Sequence, residues 1–408
     1  MHVPSPAELL DRVRSLPAGR VLIESLGDRA NVYLVGGAVR DLLRGLAATD
    51  LDLMVVGDGQ SLVAGLGGRV VRHERFGTWT VVLNGFSYDI AQARKETYAT
   101  PGALPDVAPG TLREDLMRRD FTVNALALAL GGPQAGSLSA APLALEDLDR
   151  QWLRVLHDQS FRDDPTRLLR LARYACRLGF EVEPRTAGLV ADAVAERALD
   201  SVSGTRVGAE LRLLAREPDP LAAFLTLGDL GLAEAIHPRF GLAEEDLKVG
   251  RSALALLPAE QRGDRLALAL ASRRVDLQEL RQLLDDLAFE AEDREVILAI
   301  VTSAADVARA LSGAQRPSAV AEVAAALPLE VVALAGALGP EAPARTWLES
   351  LRHVRLEIAG SDLLQAGVQE GPGVGRGLRA ALAAKLDGQV QGRAAELAVA
   401  LEAAQAAG

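Results

Sequence analysis

The chain is poor in cysteine and has no long uninterrupted apolar run. Its single cysteine in 408 residues, Cys176, excludes an internal disulfide, and its position among Leu and Ala at helical spacing predicts a buried structural thiol. No stretch approaches the roughly 20 consecutive apolar residues that span a bilayer. Residues 1–6 lack the basic and apolar pattern of a secretion signal. We therefore expect a cytoplasmic protein that does not bind a membrane.

Positive charge is also scarce, because the formal net charge is −11. This balance argues against a protein that coats nucleic acid nonspecifically, since phosphate binding needs local positive charge. It is compatible with a local basic groove. Between Phe161 and Arg177 the sequence has five arginines against two aspartates, so this segment is net +3 inside an acidic chain.

Apolar residues make up 49% of the chain, which is ample material for a core, and the length suggests two to four domains. The first ~130 residues alternate strand-like and helix-like segments with glycines between them, whereas the chain after Pro142 has helical patterns. We expect an α+β fold, in which an N-terminal head with a small mixed β-sheet and helices precedes all-α domains.

Local signals within the head predict its main elements. Residues 32–35 form a short apolar strand, which is followed by a Gly-Gly turn and by a helix over residues 38–45. Residues 79–90 form a hairpin around Asn84 and Gly85, because both central positions of a type I′ turn need a positive φ. The sheet is therefore predicted to be mixed, with an antiparallel pair.

Two aspartates, Asp50 and Asp52, stand two residues apart just before the apolar run Leu53-Met54-Val55-Val56. In a strand, this spacing places both carboxylates on one face. Two neighbouring carboxylates repel each other, so a cation is expected between them, and for oxygen ligands near a phosphate this is usually Mg²⁺. The alternative is the solvated edge of a strand, and alone the pair is a weak signal.

Upstream of the aspartates, a strand runs into Gly36 and Gly37 and a helix begins, with Arg40 in its first turn. Such a corner offers backbone N–H groups and a helix dipole to a phosphate, and Arg40 would add a charge-assisted contact. The run G-G-A-V-R-D followed by D-L-D resembles the first motif of the bacterial-type (class II) tRNA nucleotidyltransferase and poly(A) polymerase family.

The resemblance extends to residues 118–125, which read R-R-D-F-T-V-N-A and match a second signature of the family. The twin arginines, among them Arg119, would grip triphosphate oxygens, while Asp120 and Asn124 would hydrogen-bond the ribose hydroxyls. A charged helix start capped by Asp120 is the alternative. Residues 75–78 and 88–98 also resemble the family. Asp89 is a candidate third acid near the metal, with ordinary surface alternation as the competing explanation.

The basic segment contains Asp163-Asp164-Pro165-Thr166-Arg167, with Arg170 and Arg173 at further steps of three. Helix capping by Asp164 and an i,i+4 ion pair between Asp163 and Arg167 would explain part of it. It also resembles the family motif of an acid pair followed by R-x-x-R-x-x-R, in which protein side chains replace a template base. The first acid here is Asp163, where the family more often has Glu.

Asp164 and Arg167 are predicted to select the base. Cytosine and adenine each offer an exocyclic amino donor beside a ring-nitrogen acceptor, which a carboxylate and a guanidinium satisfy. Uracil and guanine present a carbonyl and an N–H there, which leaves buried groups unpaired at a cost of roughly 1–3 kcal/mol each. Arg170 and Arg173 continue the same helical face and suit phosphates or the support of Asp164.

Four domains are predicted: a catalytic head over 1–140, a helical neck with the base-selecting motif over 141–215, a helical body over 216–340 and a tRNA-binding tail over 341–408. Residues 203–211 resemble the family's last motif, which braces the preceding helix turn, and we interpret them as structural. Candidate phosphate contacts in the tail are Arg376, Arg379, Lys385 and Arg393.

The resemblance implies template-independent addition of C and/or A, from CTP and ATP, to the 3′ end of tRNA, with Mg²⁺ held by Asp50 and Asp52. A poly(A) polymerase of the same family is the nearest alternative. Addition of CCA, of CC or of the final A alone stays open, although the segment between Arg94 and Arg118 looks intact and disfavours a CC-only enzyme. A non-catalytic RNA-binding helical protein is the alternative from another class.

Overall fold

The structure is a computed structural model and describes residues 3–73 and 77–405. The chain divides into two compact units, Met1–Glu210 with Leu230–Ala235 and Leu211–Asp229 with Ile236–Gly408. The first unit holds a mixed sheet with helices, and the described part of the second unit is helical. This architecture confirms the predicted α+β head followed by helical regions. The finer division into four domains stays a prediction.

The strands of the described chain lie in the first unit. They are β1 Val32–Val35, β2 Leu53–Val55, β3 Arg69–His73, β4 Thr78–Leu83, β5 Phe86–Gln92, β6 Arg94–Thr97, β7 Asp106–Pro109, β8 Leu126–Ala129, β9 Leu138–Ala140, β10 Trp152–Leu153 and β11 Glu181–Val182. Among the described residues, a seven-stranded sheet has the order β3-β4-β5-β2-β1-β8-β9, and β6 pairs with β7 and β10 with β11. Strands β2 and β5 run parallel and the other neighbours in the large sheet are antiparallel, so the predicted mixed sheet is confirmed.

The hairpin between β4 and β5 turns at Asn84 and Gly85, as predicted. Their φ angles are +49° and +87°, the left-handed values that a type I′ turn requires. All four residues of β1 are buried, because this strand lies near the centre of the sheet and is covered on both faces.

The helices of the described chain follow the sequence order. They are α1 Pro6–Ser15, α2 Pro17–Leu26, α3 Gly37–Leu43, α4 Gly59–Ala64, α5 Leu112–Met117, α6 Ala144–Arg150, α7 Ser160–Asp163, α8 Thr166–Leu178, α9 Pro184–Ala195, α10 Gly204–Ala215, α11 Pro220–Asp229, α12 Leu232–Ile236, α13 Glu244–Leu256, α14 Gly263–Ser272, α15 Leu277–Asp286, α16 Ala291–Gly313, α17 Pro317–Ala324, α18 Leu329–Ala337, α19 Glu341–Glu349, α20 Gly360–Gln365, α21 Pro372–Leu386 and α22 Arg393–Gln405. Ser5 and Thr111 start α1 and α5 with capping boxes to Glu8 and Glu114.

Helix α8 contains the basic segment and is amphipathic. Its buried residues include Leu168, Leu171 and Ala172, which recur at the three- and four-residue steps of a helix face. Cys176 near its end is half-buried, so the prediction of a buried thiol overstated its burial.

Helix α16 of the second unit is long and apolar enough, by length and composition, to cross a membrane. This is weak support for a membrane span, because the core helix of a globular domain passes the same test. The helix packs against α14, α15 and α18 and buries Ile297, Ile300 and Leu311 among them. Packing within the unit therefore accounts for the buried apolar residues of this helix.

Candidate active site

A cleft of about 530 Å³ in the first unit collects most of the predicted site residues. The predicted residues that line it are Gly36, Gly37, Asp52, Arg119, Asp120, Asn124, Asp164, Arg167 and Arg170. The predicted residues Asp50, Arg40 and Arg173 are not part of its lining. The lining residues thus come from segments up to 174 positions apart in sequence, from Gly36 to Glu210 of α10.

The Gly36-Gly37 corner brings the backbone close to an arginine. Gly36 follows β1 with a φ of +69°, a left-handed value that favours glycine. A Cβ atom at Gly36 would lie 3.1 Å from Nη1 of Arg119, and one at Gly37 would lie 3.4 Å from Nη2 of Arg40. The two glycines therefore leave room for two guanidinium groups beside the start of α3.

The aspartate pair lies just before β2, which begins at Leu53, so the prediction placed the start of the strand too early. The ladder nevertheless reaches Asp52, whose backbone carbonyl accepts a hydrogen bond of 3.0 Å from the Val35 N–H. Asp50 and Asp52 are exposed while Leu51 and Leu53 are buried. The predicted alternation of faces is thus present in extended backbone.

Asp89 stands close to this pair, on β5, the neighbour of β2 in the sheet. Its carboxylate accepts a hydrogen bond of 2.7 Å from the Thr80 hydroxyl. The pKa of Asp52 is raised, first because surrounding atoms displace part of its hydration, and then because the charges of Asp89 and Asp50 repel its ionised form. The charge of Arg119 acts in the opposite direction.

A cation would relieve the repulsion among these acids. Among the described residues, no three His, Cys, Asp or Glu side chains form a ready-made metal cage. Magnesium sites that handle nucleotides commonly use one or two carboxylates and complete their coordination with phosphate oxygens and water. The oxygen donors at Asp52 and its neighbours fit that pattern.

Asp164 is held by one of its two carboxylate oxygens. Its Oδ1 accepts hydrogen bonds from the Thr166 N–H (3.1 Å), the Thr166 hydroxyl (2.6 Å) and Nη2 of Arg206 (2.8 Å). Asp164 lies two residues before α8 begins at Thr166, so the N-cap position falls on Pro165 and not on Asp164 as predicted, although Asp164 still accepts from a backbone N–H of the first turn. Within the described part of the chain, Oδ2 has no such hydrogen bond and remains an acceptor at the cleft.

Arg167 is buried, and its guanidinium is fixed on two sides. Nη1 donates to the Ser160 hydroxyl and Nη2 to the Arg118 carbonyl, both at 2.7 Å. The ion pair with Asp163 suggested by sequence spacing is therefore wrong, because Arg167 turns inward while Asp163 lies 4.0 Å from His157. Two of the five N–H donors of Arg167 are used in these bonds, which leaves others for a ligand.

Asp120 is bound on both oxygens. Oδ1 accepts from the Phe121 N–H and from Asn124, and Oδ2 accepts from Nε (2.9 Å) and Nη2 (2.5 Å) of Arg170. Burial opposes ionisation of this carboxyl, but the charge and hydrogen bonds of Arg170 outweigh it and lower its pKa to about 2. A ribose hydroxyl would have to displace one of these bonds, so the ribose contact of Asp120 stays a prediction that this arrangement does not favour.

Two further predicted nucleotide contacts, Arg40 and Arg173, are also occupied by protein groups. Arg40 is buried and donates to Asn124 Oδ1 at 2.7 Å and to its neighbour Asp41. Arg40 was predicted to contact a phosphate directly, but in the structure it positions Asn124 instead. Arg173 is buried beside Glu210 and stacks on Tyr174 at 4.9 Å. Both arginines thus support the wall of the cleft from behind.

Sequence reasoning missed several residues of the cleft. Asp115 is fully buried and binds Arg118 at 2.7 Å and Arg119 at 3.0 Å, so one carboxylate orients both arginines. Arg206 and Glu210 of α10 also line the cleft, although their segment was interpreted as structural only. The resemblance of residues 203–211 to a family motif was the available signal for both.

Two further groups of predictions concern residues 75–78 and the tail. Of the family-like residues 75–78, Arg75 and Phe76 lie outside the described residues. In the second unit, Lys385 pairs with Glu396 at 2.6 Å and Arg393 with Asp362 at 2.6 Å, which leaves these two side chains occupied within the tail. The remaining tail candidates are Arg376 and Arg379.

Comparison with known proteins agrees with the architecture of the first unit. Residues 32–154 match the family of the Poly A polymerase head domain. This range contains the Gly-Gly corner and the segment with Arg119, Asp120 and Asn124. It also contains Asp50, Asp52 and Asp89. The first unit therefore contains a nucleotidyltransferase head of the poly(A) polymerase type.

Relatives and solved structures extend the likeness beyond the head. An A-adding tRNA nucleotidyltransferase of Geobacter sulfurreducens is 44% identical over 53% of this chain and 25% of its own length. A CC-adding tRNA nucleotidyltransferase of Deinococcus radiodurans is 42% identical over 56% of this chain and 62% of its own length. The chain thus covers between a quarter and about three fifths of these two relatives.

The likeness to solved structures covers nearly the whole chain. An apo CCA-adding enzyme superposes with a TM-score of 0.80 and 26% identity, over 98% of this chain and 100% of the other. A Thermotoga maritima CCA-adding enzyme complexed with tRNA gives a TM-score of 0.76 at 26% identity, over 98% and 99%. Residues 32–154 are thus similar to the Poly A polymerase head domain family, and nearly the whole chain is similar in structure to CCA-adding enzymes. Nucleotidyltransferases of this family use divalent metal ions.

Proposed function

We propose that the protein adds C and/or A residues from CTP and ATP to the 3′ end of tRNA without a nucleic acid template. The observation that carries this proposal is the pairing of Asp164 and Arg167 at one cleft with the acids around Asp52. Asp164 keeps one carboxylate oxygen open as an acceptor, and Arg167 is fixed with spare N–H donors. The proposed substrate class also rests on the tRNA enzymes named above.

The pair at the start of α8 supports selection of cytosine and adenine. The open oxygen of Asp164 would accept the exocyclic amine, and Arg167 would donate to the adjacent ring nitrogen. Arg206 and the Thr166 hydroxyl hold Asp164 Oδ1, so the carboxylate is aimed before a base arrives. A rigid acceptor rejects the carbonyl of uracil or guanine because neither oxygen has a proton to share.

The proposed metal site is formed by Asp50, Asp52 and Asp89, which we call the acid cluster. Asp50 and Asp52 would hold Mg²⁺, which would supply a lower pKa for the attacking hydroxyl and positive charge to stabilise the departing pyrophosphate. Arg119 lies between the Gly36 corner and Asp52, where its guanidinium would neutralise triphosphate oxygens. We keep Asp89 as the third acid of this cluster because its charge acts on Asp52.

In the reaction, the 3′-hydroxyl oxygen of the acceptor bonds to the α-phosphorus of CTP or ATP, and the bond to the leaving pyrophosphate breaks. The hydroxyl proton leaves to solvent or to a carboxylate of the cluster. The protein residues supply position and charge: Asp164 and Arg167 hold the base, and Arg119 holds the phosphates. We propose that this takes place in the cytoplasm, where tRNA is found.

Three versions of the activity remain alternatives within this proposal: synthesis of the whole CCA end, addition of CC, or addition of the final A. The two relatives described above include one A-adding and one CC-adding enzyme, so they support tRNA as the acceptor and leave the version open. The names of these relatives also favour a tRNA nucleotidyltransferase over a poly(A) polymerase.

The experiment offers the full chain three tRNA transcripts, ending before CCA, after C and after CC, with one labelled nucleotide at a time and Mg²⁺. We expect incorporation of C, of A, or of both in order, and none of U or G. Transcripts that lack a tRNA fold serve as control acceptors. Extension of those controls into long A tracts would support a poly(A) polymerase, and no incorporation into any acceptor would refute the proposal.

A further inference from the structure

Thr80 of β4 lies beside the acid cluster and takes no direct part in the proposed reaction. Its hydroxyl donates a hydrogen bond of 2.7 Å to Oδ1 of Asp89. Thr80, Asp89 and Asp52 line one cleft of about 410 Å³ in the first unit. None of the motifs described above includes Thr80. Its contact with Asp89 nevertheless connects this threonine to the proposed metal site.

The register of the sheet places the three residues in one row across neighbouring strands. Thr80 pairs with Asp89 of β5 in the antiparallel ladder. On the other side of β5, Leu53 of β2 pairs with Ile90 in the parallel ladder. Asp52 and Asp89 each precede this pair by one residue, and neighbouring strands are roughly 4.7–4.9 Å apart. The row therefore runs from Thr80 through Asp89 to Asp52.

The like charges in this row favour a movement of Asp89 away from Asp52. The charge of Asp89 acts on Asp52 more strongly than that of Asp50, which is only two residues away in the chain. Asp89 is exposed, so a change of rotamer would carry its carboxylate into solvent and reduce the repulsion. The hydrogen bond from Thr80 opposes this change.

The chemistry of threonine suits the support of a metal ligand. Its β-branched side chain has few χ1 rotamers, so the hydroxyl is a donor at a defined place. A hydroxyl that donates to a carboxylate favours the ionised form, and this is the form that binds a cation. Only Oδ1 of Asp89 receives the bond, and within residues 3–73 and 77–405 its Oδ2 accepts no hydrogen bond. Oδ2 is therefore available to a cation.

We propose that Thr80 is a positioning residue that holds Asp89 beside Asp52 as a ligand for the divalent ion of the acid cluster. This inference rests on the proposed function and adds a residue that acts through Asp89. Removal of the hydrogen-bond partner of a metal ligand typically costs roughly 10- to 100-fold in metal affinity or activity. An ordinary cross-strand pair of threonine and aspartate is the alternative, and it would affect stability alone.

The first test compares Thr80→Val, which removes the hydroxyl at similar volume, with Thr80→Ser, which keeps it. Mn²⁺ is the probe, and its binding to the full chain without nucleotide is followed through the EPR signal of the free ion. We expect Thr80→Val to raise the Kd for Mn²⁺ about tenfold and Thr80→Ser to change it less than about twofold. Thr78→Val is the matched control, because Thr78 lies on the same face of β4 and pairs with Ala91. It should bind Mn²⁺ as the wild type does.

The second test is a double-mutant cycle with Asp89→Ala. Because Thr80 is proposed to act through Asp89, Thr80→Val should cause no further loss of Mn²⁺ affinity when position 89 is alanine. In the otherwise wild-type chain, Thr80→Val should raise the Mg²⁺ concentration for half-maximal incorporation about tenfold and change the KM for CTP and ATP less than about twofold. Equal losses from Thr80→Val with and without the Asp89 carboxylate would overturn the proposal.

The unfolding temperature in EDTA separates the positioning role from a structural one. A lower unfolding temperature of Thr80→Val with an unchanged Kd for Mn²⁺ would overturn the positioning role. Absence of any nucleotide incorporation by the wild type would refute the proposed function itself, whereas the Mn²⁺ titration would still test Thr80. The two failures are therefore distinguishable.

Discussion

The acids around Asp52 and the acid at Asp120 lie in the same unit, and their charges are handled in opposite ways. The pKa of Asp52 is raised by loss of hydration and by the like charges of Asp89 and Asp50. The pKa of Asp120 is lowered to about 2, because the contacts of Arg170, Asn124 and the Phe121 N–H outweigh its burial. At Asp52 repulsion by like charges outweighs the attraction of Arg119, whereas at Asp120 the attraction of Arg170 outweighs burial.

This difference distinguishes the carboxylates that would take part in the reaction, around Asp52, from Asp120, which positions other side chains. At Asp52 the compensating positive charge must come from a bound cation, so the repulsion among the acids is relieved only when the cation is present. At Asp120 the protein uses its own arginine to fix the wall that carries Asn124 and Arg170. Substitutions in the two regions should therefore affect different measurements.

The largest expected effect is on catalysis at the acid cluster. Replacing Asp52→Asn should lower kcat by at least about 10³-fold, because the lost metal ligand is worth several kcal/mol of charge stabilisation. Single-turnover incorporation of labelled CTP or ATP measures this loss. Thermal unfolding in EDTA at pH 7 should occur at the same or a higher temperature than in the wild type, since one repelling charge is removed.

Asp28→Asn is the matched control for this substitution, because Asp28 is exposed and lies outside the cleft. It should leave incorporation unchanged. Near-normal incorporation by Asp52→Asn would refute the metal assignment. Addition of Mg²⁺ should also raise the unfolding temperature of the wild type more than that of Asp52→Asn, and equal shifts would count against the site.

A smaller effect, and one on stability, is expected at Asp120. Asp120→Asn breaks a buried ion pair and should lower the free energy of unfolding of the first unit by about 3 kcal/mol. Urea unfolding followed by tryptophan fluorescence measures this change. Asp158→Asn, which breaks an exposed pair with Arg185, is the control and should cost at most about 1 kcal/mol.

The pH dependence of the free energy of unfolding is a second test of the ion pair between Asp120 and Arg170. Because the folded-state pKa of Asp120 is about 2 against an ordinary value of 3.8, its contribution is complete above pH 4 and is lost as the pH falls from 4 toward 2. The wild type should lose more stability over this range than Asp120→Asn. Parallel curves for the two proteins would show that Arg170 does not hold the carboxyl in its ionised form.

The smallest of these effects is expected at Arg206, which binds the Gly102 carbonyl at 2.9 Å and Asp164 at 2.8 Å. The single ammonium group of Arg206→Lys lacks the guanidinium fork that reaches both acceptors. Discrimination against UTP and GTP should fall about tenfold, which corresponds to about 1.4 kcal/mol. Arg162→Lys, at an exposed pair with Glu196, should leave discrimination unchanged.

Local sequence signals predicted the parts of the fold that depend on neighbours in the chain. The hairpin at Asn84 and Gly85 follows from the φ angles of its two turn residues, and the exposure of Asp50 and Asp52 follows from alternation beside buried leucines. The fold class, the Gly-Gly corner and the cleft residues Asp164 and Arg167 were also predicted from motifs. These features need little information from distant residues.

Contacts between distant segments could not be predicted in this way. Arg40 binds Asn124, which lies 84 residues away, and Arg170 binds Asp120, which lies 50 residues away. Both arginines were predicted to contact a nucleotide because spacing alone does not show that a buried partner will occupy them. The pair of Asp163 and Arg167 failed for the same reason, since Ser160 and the Arg118 carbonyl hold Arg167.

Base choice at Asp164 is tested most directly by measuring kcat/KM for all four nucleoside triphosphates with the wild type, Asp164→Asn and Asp163→Asn. The wild type and Asp163→Asn should use CTP, ATP or both and reject UTP and GTP. An amide at position 164 can donate to a carbonyl, so Asp164→Asn should narrow the gap to UTP and GTP by roughly 10- to 100-fold. Unchanged discrimination in Asp164→Asn, in a variant that still incorporates nucleotides, would contradict the assignment of base choice to Asp164.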